Sequence, residues 1–224
     1  MISKRVLLLS LTLALVASVA SAQIVVTQEV LVNTLQIGSG GTLDITSGNA
    51  VVLNGDYGIL KAQVVNSFEN GGNYDWAGTG ITSSNAAARA QIDGMTAVSI
   101  VSNDNMGLTE FGLATGLLGT SNEILMNYTW VGDTDLDGVL TPSDYFTLLL
   151  GYDMGTGGWE VGDTDYDGAI TPTDYFTFLA AWDTPGSQSG PPTAAAAGAA
   201  VPEPSCLVLL VVAGLLVAGY KKFK

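Results

Sequence analysis

The chain has 224 residues, 21 acidic against 7 basic, a formal net charge of −14, no histidine and one cysteine. Such a surface argues against nucleic acid as a partner and in favour of divalent cations. Without imidazole there is no His-based triad, His metal site or imidazole general base, while paired carboxylates remain possible for catalysis.

Residues 1–22 read as a secretory signal peptide. Lys4 and Arg5 form its basic start, Val6 to Val16 its apolar middle, and Ala20-Ser21-Ala22 a small-residue cleavage site. The exported chain then begins at Gln23. From there to Ala200 the only basic residues are Lys61 and Arg89, against 20 acidic ones.

Residues 23–128 read as a β-rich region. Apolar pairs alternate with polar residues at Leu35 and Ile37, Leu43 and Ile45, Val51 and Leu53, with Gly, Ser and Asn between the runs. Period-two alternation with turn chemistry predicts short strands. The pattern fits turns of a β-solenoid and a small antiparallel sheet equally well. Tyr74 and Trp76 follow, set among glycines and asparagines. They read as buried anchors of a loop, with a sugar-stacking platform as the alternative. A short helix is predicted over 84–92, ended by Gly94, with strands over 97–101 and 124–130. The acids of this region, among them Asp44, Asp56, Glu69, Asp75, Asp93, Asp104, Glu110 and Glu123, are scattered and single out no acid–nucleophile pair. The chain therefore reads as non-catalytic.

A stretch then occurs twice. Residues 131–147 read VGDTDLDGVLTPSDYFT and residues 161–177 read VGDTDYDGAITPTDYFT. Asp133, Asp135, Asp137 and Asp144, and again Asp163, Asp165, Asp167 and Asp174, fall at positions 1, 3, 5 and 12 of a calcium loop, with Gly138 and Gly168 at position 6. Alternate residues of a tightly curled loop aim their oxygens at one point. Val139 and Ala169, at position 7, need offer only a backbone carbonyl, and Thr141 and Thr171, at position 9, a hydroxyl or a bridged water. Thr-Pro-Ser-Asp and Thr-Pro-Thr-Asp then start a helix, with threonine as N-cap, proline at N1 and a carboxylate at N3. The expectation is two bound calcium ions, one per loop. Calcium would also staple a chain whose one cysteine, Cys206, lies outside its exported body and leaves it no internal disulfide.

A calcium loop followed by one helix, with no entering helix, repeated after about thirty residues, resembles the dockerin type I family over residues 129–183. The resemblance implies two loop-helix units packed antiparallel around a small core, with the eight aspartates as side-chain ligands, and a cohesin-like partner that places the protein in a polysaccharide-degrading assembly. The chain departs from that pattern at Pro142 and Pro172, beside the positions cohesins read, and in having no Lys or Arg over residues 131–183. A calcium-locked structural module is therefore preferred to cohesin docking. From Phe68 through the repeats, the order of a Gly/Asn-rich Trp segment, an Ile-Thr-Ser-Ser segment and a strand also resembles exported surface proteins of planctomycete type.

Residues 185–200, PGSQSGPPTAAAAGAA, read as a flexible spacer. Pro202-Glu203-Pro204 then precedes an apolar run from Cys206 to Tyr220 and a basic end of Lys221, Lys222 and Lys224. The run is slightly short of the ~20 residues that span a bilayer, and the lysines hold its end in the cytoplasm. This order resembles the PEP-CTERM sorting signal, read by the membrane protease-transpeptidase exosortase. The resemblance implies an inner-membrane-inserted precursor whose tail is removed on export, and a mature protein at the cell surface or in the extracellular matrix.

The expected fold class is thus mixed α+β: a small β-rich N-terminal region, then an all-α dockerin-like tandem EF-hand-type module over residues 129–184, then the spacer and the sorting tail at 201–224. The expected function is that of a non-catalytic calcium-binding surface protein. A docking component or a carbohydrate-binding module using Tyr74 and Trp76 are the alternatives.

Overall fold

Short apolar triplets broken by Gly, Ser and Asn are too brief to form a meander of long strands, and they stack instead. In the computed structural model, which describes residues 13–15, 23–25, 29–112, 114, 118–119 and 122–192, six of them come first. They are β1 (Leu13–Leu15), β2 (Gln23–Val25), β3 (Val30–Val32), β4 (Leu35–Ile37), β5 (Thr42–Asp44) and β6 (Asn49–Val52). Each of the first three lies parallel to the strand three places later: Leu13 opposite Leu35, Gln23 opposite Thr42, Val30 opposite Ala50. Parallel stacking of three strands per turn is solenoid geometry, here two turns deep, although β1 lies within residues 1–22 and a chain cleaved after Ala22 keeps only β2 and β3 of the first turn. The small antiparallel sheet is overturned for this segment. Of the alternating apolar residues, Leu35, Leu43, Ile45 and Val51 are buried and Ile37 and Leu53 half-buried against the same core.

A third level follows on one face, where β7 (Gly80–Thr82) lies parallel to β5. On another face the solenoid continues as an antiparallel sheet. β6 pairs with β9 (Ile124–Trp130), and β9 with β8 (Thr96–Ser102), giving the order β3-β6-β9-β8.

Helix α1 (Tyr57–Glu69) was not expected from the sequence. Asp56 caps it by accepting from the Ile59 N–H, Leu60, Val64 and Ser67 form its buried stripe, and Asn70 ends it in the left-handed region at φ 40°. It lies directly on β7: a Cβ at Gly80 would sit 2.2 Å from the Gln63 carbonyl oxygen. Helix α2 (Ser84–Ala90), capped by Ser83, stops two residues before its expected end. It buries Arg89, whose guanidinium lies 4.9 Å from the Trp130 ring and pairs with Asp93. A single turn, α3 (Asn103–Met106), follows β8. Helices α4 (Pro142–Met154) and α5 (Pro172–Trp182) are those of the repeats. Each starts at a Thr N-cap with proline behind it and a complete capping box closed by Asp144 or Asp174.

The expected division into a β-rich region followed by an all-α dockerin-like module does not hold. The repeats are built onto a strand-rich body, and the whole is one mixed α/β unit. Strand β9 runs through residues 124–130 straight into the first loop, and the Val131 N–H donates to the Met95 carbonyl. Tyr166 of the second loop donates its hydroxyl to the Val98 carbonyl of β8 at 2.8 Å. Its ring meets Phe68 and Trp76 of the body edge-on. The physical reason is area. Two helices of three turns bury too little apolar surface by themselves, and the inner residues of the loops find their cover on the sheet. The described residues through 192 fall within the compact unit Met1–Ala194, and the second unit, Ala195–Lys224, lies outside the described residues.

Candidate metal centre

The two loops, residues 133–144 and 163–174, share one backbone. Position 4 is left-handed in both (Leu136 φ 64°, Tyr166 φ 66°), and so is position 6 (Gly138 φ 85°, Gly168 φ 86°). That fold is held by the ligand candidates themselves. Asp135 accepts from the Asp137 N–H at 3.2 Å and Asp137 from the Val139 N–H at 2.8 Å. Asp165 and Asp167 accept from Asp167 and Ala169 in the same way, at 3.2 and 2.7 Å. Asp133 takes the Gly138 N–H at 3.0 Å and Asp163 the Gly168 N–H at 3.1 Å. Each Asp at position 3 or 5 therefore builds a turn with its Oδ1.

The closing aspartates serve two ends of their loops. Asp144 Oδ1 accepts from the N–H and hydroxyl of Thr134, and its Oδ2 from the N–H and hydroxyl of Thr141. Asp174 does the same with Thr164 and Thr171. The hydroxyls of Thr141 and Thr171 also accept from the Ser143 and Thr173 N–H groups, so both are committed to the helix caps. Thr134 and Thr164 had no role in the sequence reading. Their signal was in view, since both stand at position 2 of the repeated Gly-Asp-Thr-Asp.

One feature separates a metal site from a solvated acidic turn. Asp133 is 0% exposed and Asp163 1%. In each, one carboxylate oxygen is saturated while the other, Oδ1, is buried with no hydrogen-bond partner. A buried carboxylate oxygen without a donor costs free energy unless a cation or a proton meets it. The same atom is orphaned in both repeats, and in both its residue belongs to a convergent group. Asp133, Asp135 and Asp137 bring one oxygen each to within 4.8 Å of one another, and so do Asp163, Asp165 and Asp174. The donor set is entirely oxygen, which suits hard cations such as calcium. The residues present fit that ion.

Electrostatics agree with the geometry. Burial pushes the Asp133 carboxyl up to about 7, with the charge of Asp144 adding to it and the Thr129 and Gly138 hydrogen bonds opposing. Asp135 and Asp165 are raised by burial and by their neighbouring carboxylates. Asp163 is raised by burial too, but the ammonium of Lys61 pulls it back. The outer partners of the two first-position aspartates thus differ: Asp133 Oδ2 accepts from the Thr129 hydroxyl, Asp163 Oδ2 from Lys61 Nζ at 3.1 Å. Lys61 stands on α1, 102 positions away in the chain, and carries no sequence signal for this role.

The loops interlock. A Cβ at Gly132, just ahead of loop 1, would sit 2.4 Å from the Phe178 ring of α5. A Cβ at Gly162, just ahead of loop 2, would sit 2.4 Å from Leu148 of α4. Leu148 and Phe178 are equivalent positions of the two repeats, so each helix packs on the other repeat's loop. Trp159 adds a cross-link by donating its indole N–H to the Asp133 carbonyl at 2.6 Å while its ring stacks on Tyr166. The chain after α5 turns back over loop 1. The Leu140 N–H donates to the Ser187 carbonyl at 2.7 Å and the Trp130 indole to the Gly190 carbonyl at 2.8 Å, so residues 185–192, read as the start of the spacer, lie on the body.

The two aromatics considered for sugar stacking both pack on Phe68, but only Trp76 is the buried anchor expected. Trp76 is 3% exposed, inside the aromatic cluster, whereas Tyr74 is 58% exposed. No helix among the described residues is long and apolar enough to cross a membrane, and residues 201–224, read from the sequence as a sorting tail, lie outside them. Against protein-family models, curated proteins and solved structures alike, the chain finds no match.

Proposed function

We propose that the chain is a non-catalytic calcium-binding protein, exported to the cell surface or extracellular matrix, that takes one ion in each of its two loops. The observation that carries the calcium reading is the orphaned inner oxygen of Asp133 and of Asp163, buried at equivalent places in two convergent carboxylate clusters. Oxygen-only donors and flexible loop geometry favour calcium over magnesium, which demands a near-ideal octahedron and keeps its water. The ion's role here is structural: it neutralises carboxylates that the fold presses together, and it locks helices, loops and sheet into one body. Export, and processing by an exosortase-type enzyme, rest on the sequence patterns of residues 1–22 and 201–224.

Titration calorimetry of the full chain in mild detergent tests the reading. Calcium added to chelator-stripped protein is expected to bind with a stoichiometry near two, and a stoichiometry of zero overturns it.

A second reading, docking to a cohesin-like protein of a polysaccharide-degrading assembly, is favoured by one observation. Phe146, Leu150 and Met154 of α4 and Phe176 of α5 leave their apolar side chains exposed. Calcium-dependent capture of such a partner, lost in Phe146→Ser/Phe176→Ser, would support it.

A further inference from the structure

The two loops share the hydrogen bonds that their own aspartates and threonines make, yet they differ in the charge at their back. Behind loop 1 stands a neutral hydroxyl, that of Thr129 on β9. Behind loop 2 stands the ammonium of Lys61, 3.1 Å from Asp163 Oδ2, with its side chain only 20% exposed. The inner oxygens, Asp133 Oδ1 and Asp163 Oδ1, are orphaned in both cases. A cation meeting Asp163 Oδ1 therefore shares one carboxylate with an ammonium on its outer oxygen, in a partly dry setting that screens poorly. A cation meeting Asp133 Oδ1 has no such competitor. The hydroxyl and the ammonium do the same positioning work, since each donates to Oδ2 beside a glycine N–H. Among the groups that touch the two first-position carboxylates, the difference is one positive charge.

We propose that Lys61 makes the two loops unequal, so that loop 1 is the tight calcium site and loop 2 a weaker one that fills second. This rests on the calcium reading above. Lys61 has a further consequence in the metal-free protein. It partly neutralises Asp163 and ties loop 2 to α1, so loop 2 keeps a cation in place when calcium is scarce while loop 1 has none. Lys61 is one of only two basic residues between Gln23 and Ala200, and the other, Arg89, is engaged by Asp93 and the Trp130 ring. No cation among the described residues plays the corresponding part for Asp133.

Calcium calorimetry on the full chain in mild detergent, with terbium luminescence as a second probe, reads the two sites separately. Wild type is expected to show two sites at least about tenfold apart, a gap of ~1.4 kcal/mol. Asp133→Ala should remove the tight site and Asp163→Ala the weak one. Lys61→Met, which keeps the apolar stem and removes the charge, should tighten the weak site by about tenfold and leave the tight one in place. Lys61→Arg should keep the wild-type pattern. Two sites that Lys61→Met leaves unchanged, or a tight site that vanishes with Asp163→Ala, overturn the proposal while leaving calcium binding intact. If wild type binds no calcium, the calcium reading itself fails, and this inference with it. A Lys61→Met chain that fails to fold would show in its circular dichroism. Lys61→Gln, able to donate to Asp163 without charge, then replaces it with the same expected tightening.

Discussion

Asp133 is the residue on which the chemistry of the metal-free protein turns. Its carboxyl is raised from 3.8 to about 7 chiefly by burial, and Asp135, Asp163 and Asp165 move in the same direction. A folded-state value above the unfolded one means the folded chain holds the proton more tightly. The stability this contributes is complete below about pH 4 and is lost as pH rises through about 7. Thermal melts in EDTA should therefore give a Tm that falls between pH 4.5 and pH 8. In excess calcium the fall should vanish, because the ion takes the proton's place. A Tm in EDTA that climbs over that range contradicts this account. Asp133→Asn separates the two roles of the residue. The amide removes the charge and supplies a donor where the orphaned oxygen lies, so the metal-free protein should melt higher than wild type. Calcium affinity of loop 1 should drop by at least about tenfold, ~1.4 kcal/mol. A variant that melts lower than wild type in EDTA would show that the carboxylate is not under strain.

Each helix of the repeats is locally encoded and globally exchanged. The Thr-Pro-x-Asp start is satisfied within its own segment, but the helix then packs on the other repeat's leading glycine. Two glycine substitutions measure these layers apart. Gly168 has φ 86° and open space around its missing Cβ, so Gly168→Ala carries only the left-handed cost, about 1–2 kcal/mol. Gly132 has φ 92° and the Phe178 ring 2.4 Å from the added methyl, so Gly132→Ala should cost a further ~1–3 kcal/mol of overpacking. Urea unfolding in excess calcium reads both, and equal losses would mean that the repeats do not interlock at this point. Helix α1 shows how an element escapes a sequence reading. Its signals were present: Asp56 as cap, the Leu60, Val64 and Ser67 stripe, and Asn70-Gly71-Gly72 as a stop. A polar residue in the buried stripe and Gly58 in the first turn blurred the period. Ser67 fits there because its hydroxyl donates to the Gln63 carbonyl and to the Ile81 carbonyl of β7.

For the whole molecule the consequence is cooperativity. Strand β8 is the edge of its sheet, and Tyr166 from loop 2 closes on it through the Val98 carbonyl. A loop that satisfies a sheet edge cannot open without exposing that edge. Four carboxylates per loop repel in the absence of metal, and a like-charge pair at ~4 Å costs about 4 kcal/mol at an effective dielectric of ~20. That load falls on the sheet as well as on α4 and α5. Far-UV circular dichroism and tryptophan fluorescence should therefore report one coincident transition, moving upward with calcium. Two separated transitions, only one of them sensitive to calcium, would mark a detachable module. Tyr166→Phe should lower stability by about 1–3 kcal/mol, by leaving a buried carbonyl without its donor.

Most of the short-range structure was legible in the residues, save the parts of Thr134 and Thr164 and the commitment of Thr141 and Thr171 to the helix caps. The spacing of Asp133, Asp135 and Asp137 and of their copies, the glycines at the turn and the Thr-Pro-x-Asp helix starts all act within about twelve positions, where the backbone itself sets the distances. Strand β9 was legible too, as a plain apolar run. What only the tertiary structure decided acts between segments far apart. Leu13, Gln23 and Val30 each had several equivalent triplets to lie against, and alternation alone does not distinguish a parallel partner from an antiparallel one. The loops came to rest on the sheet rather than on each other alone because Leu136, Trp159 and Tyr166 needed apolar cover that two short helices lack. Lys61 reached Asp163 rather than Asp133 because α1 lies behind loop 2. A repeat that is symmetric in sequence thus acquired unlike surroundings for its two first-position aspartates from the asymmetric body around it.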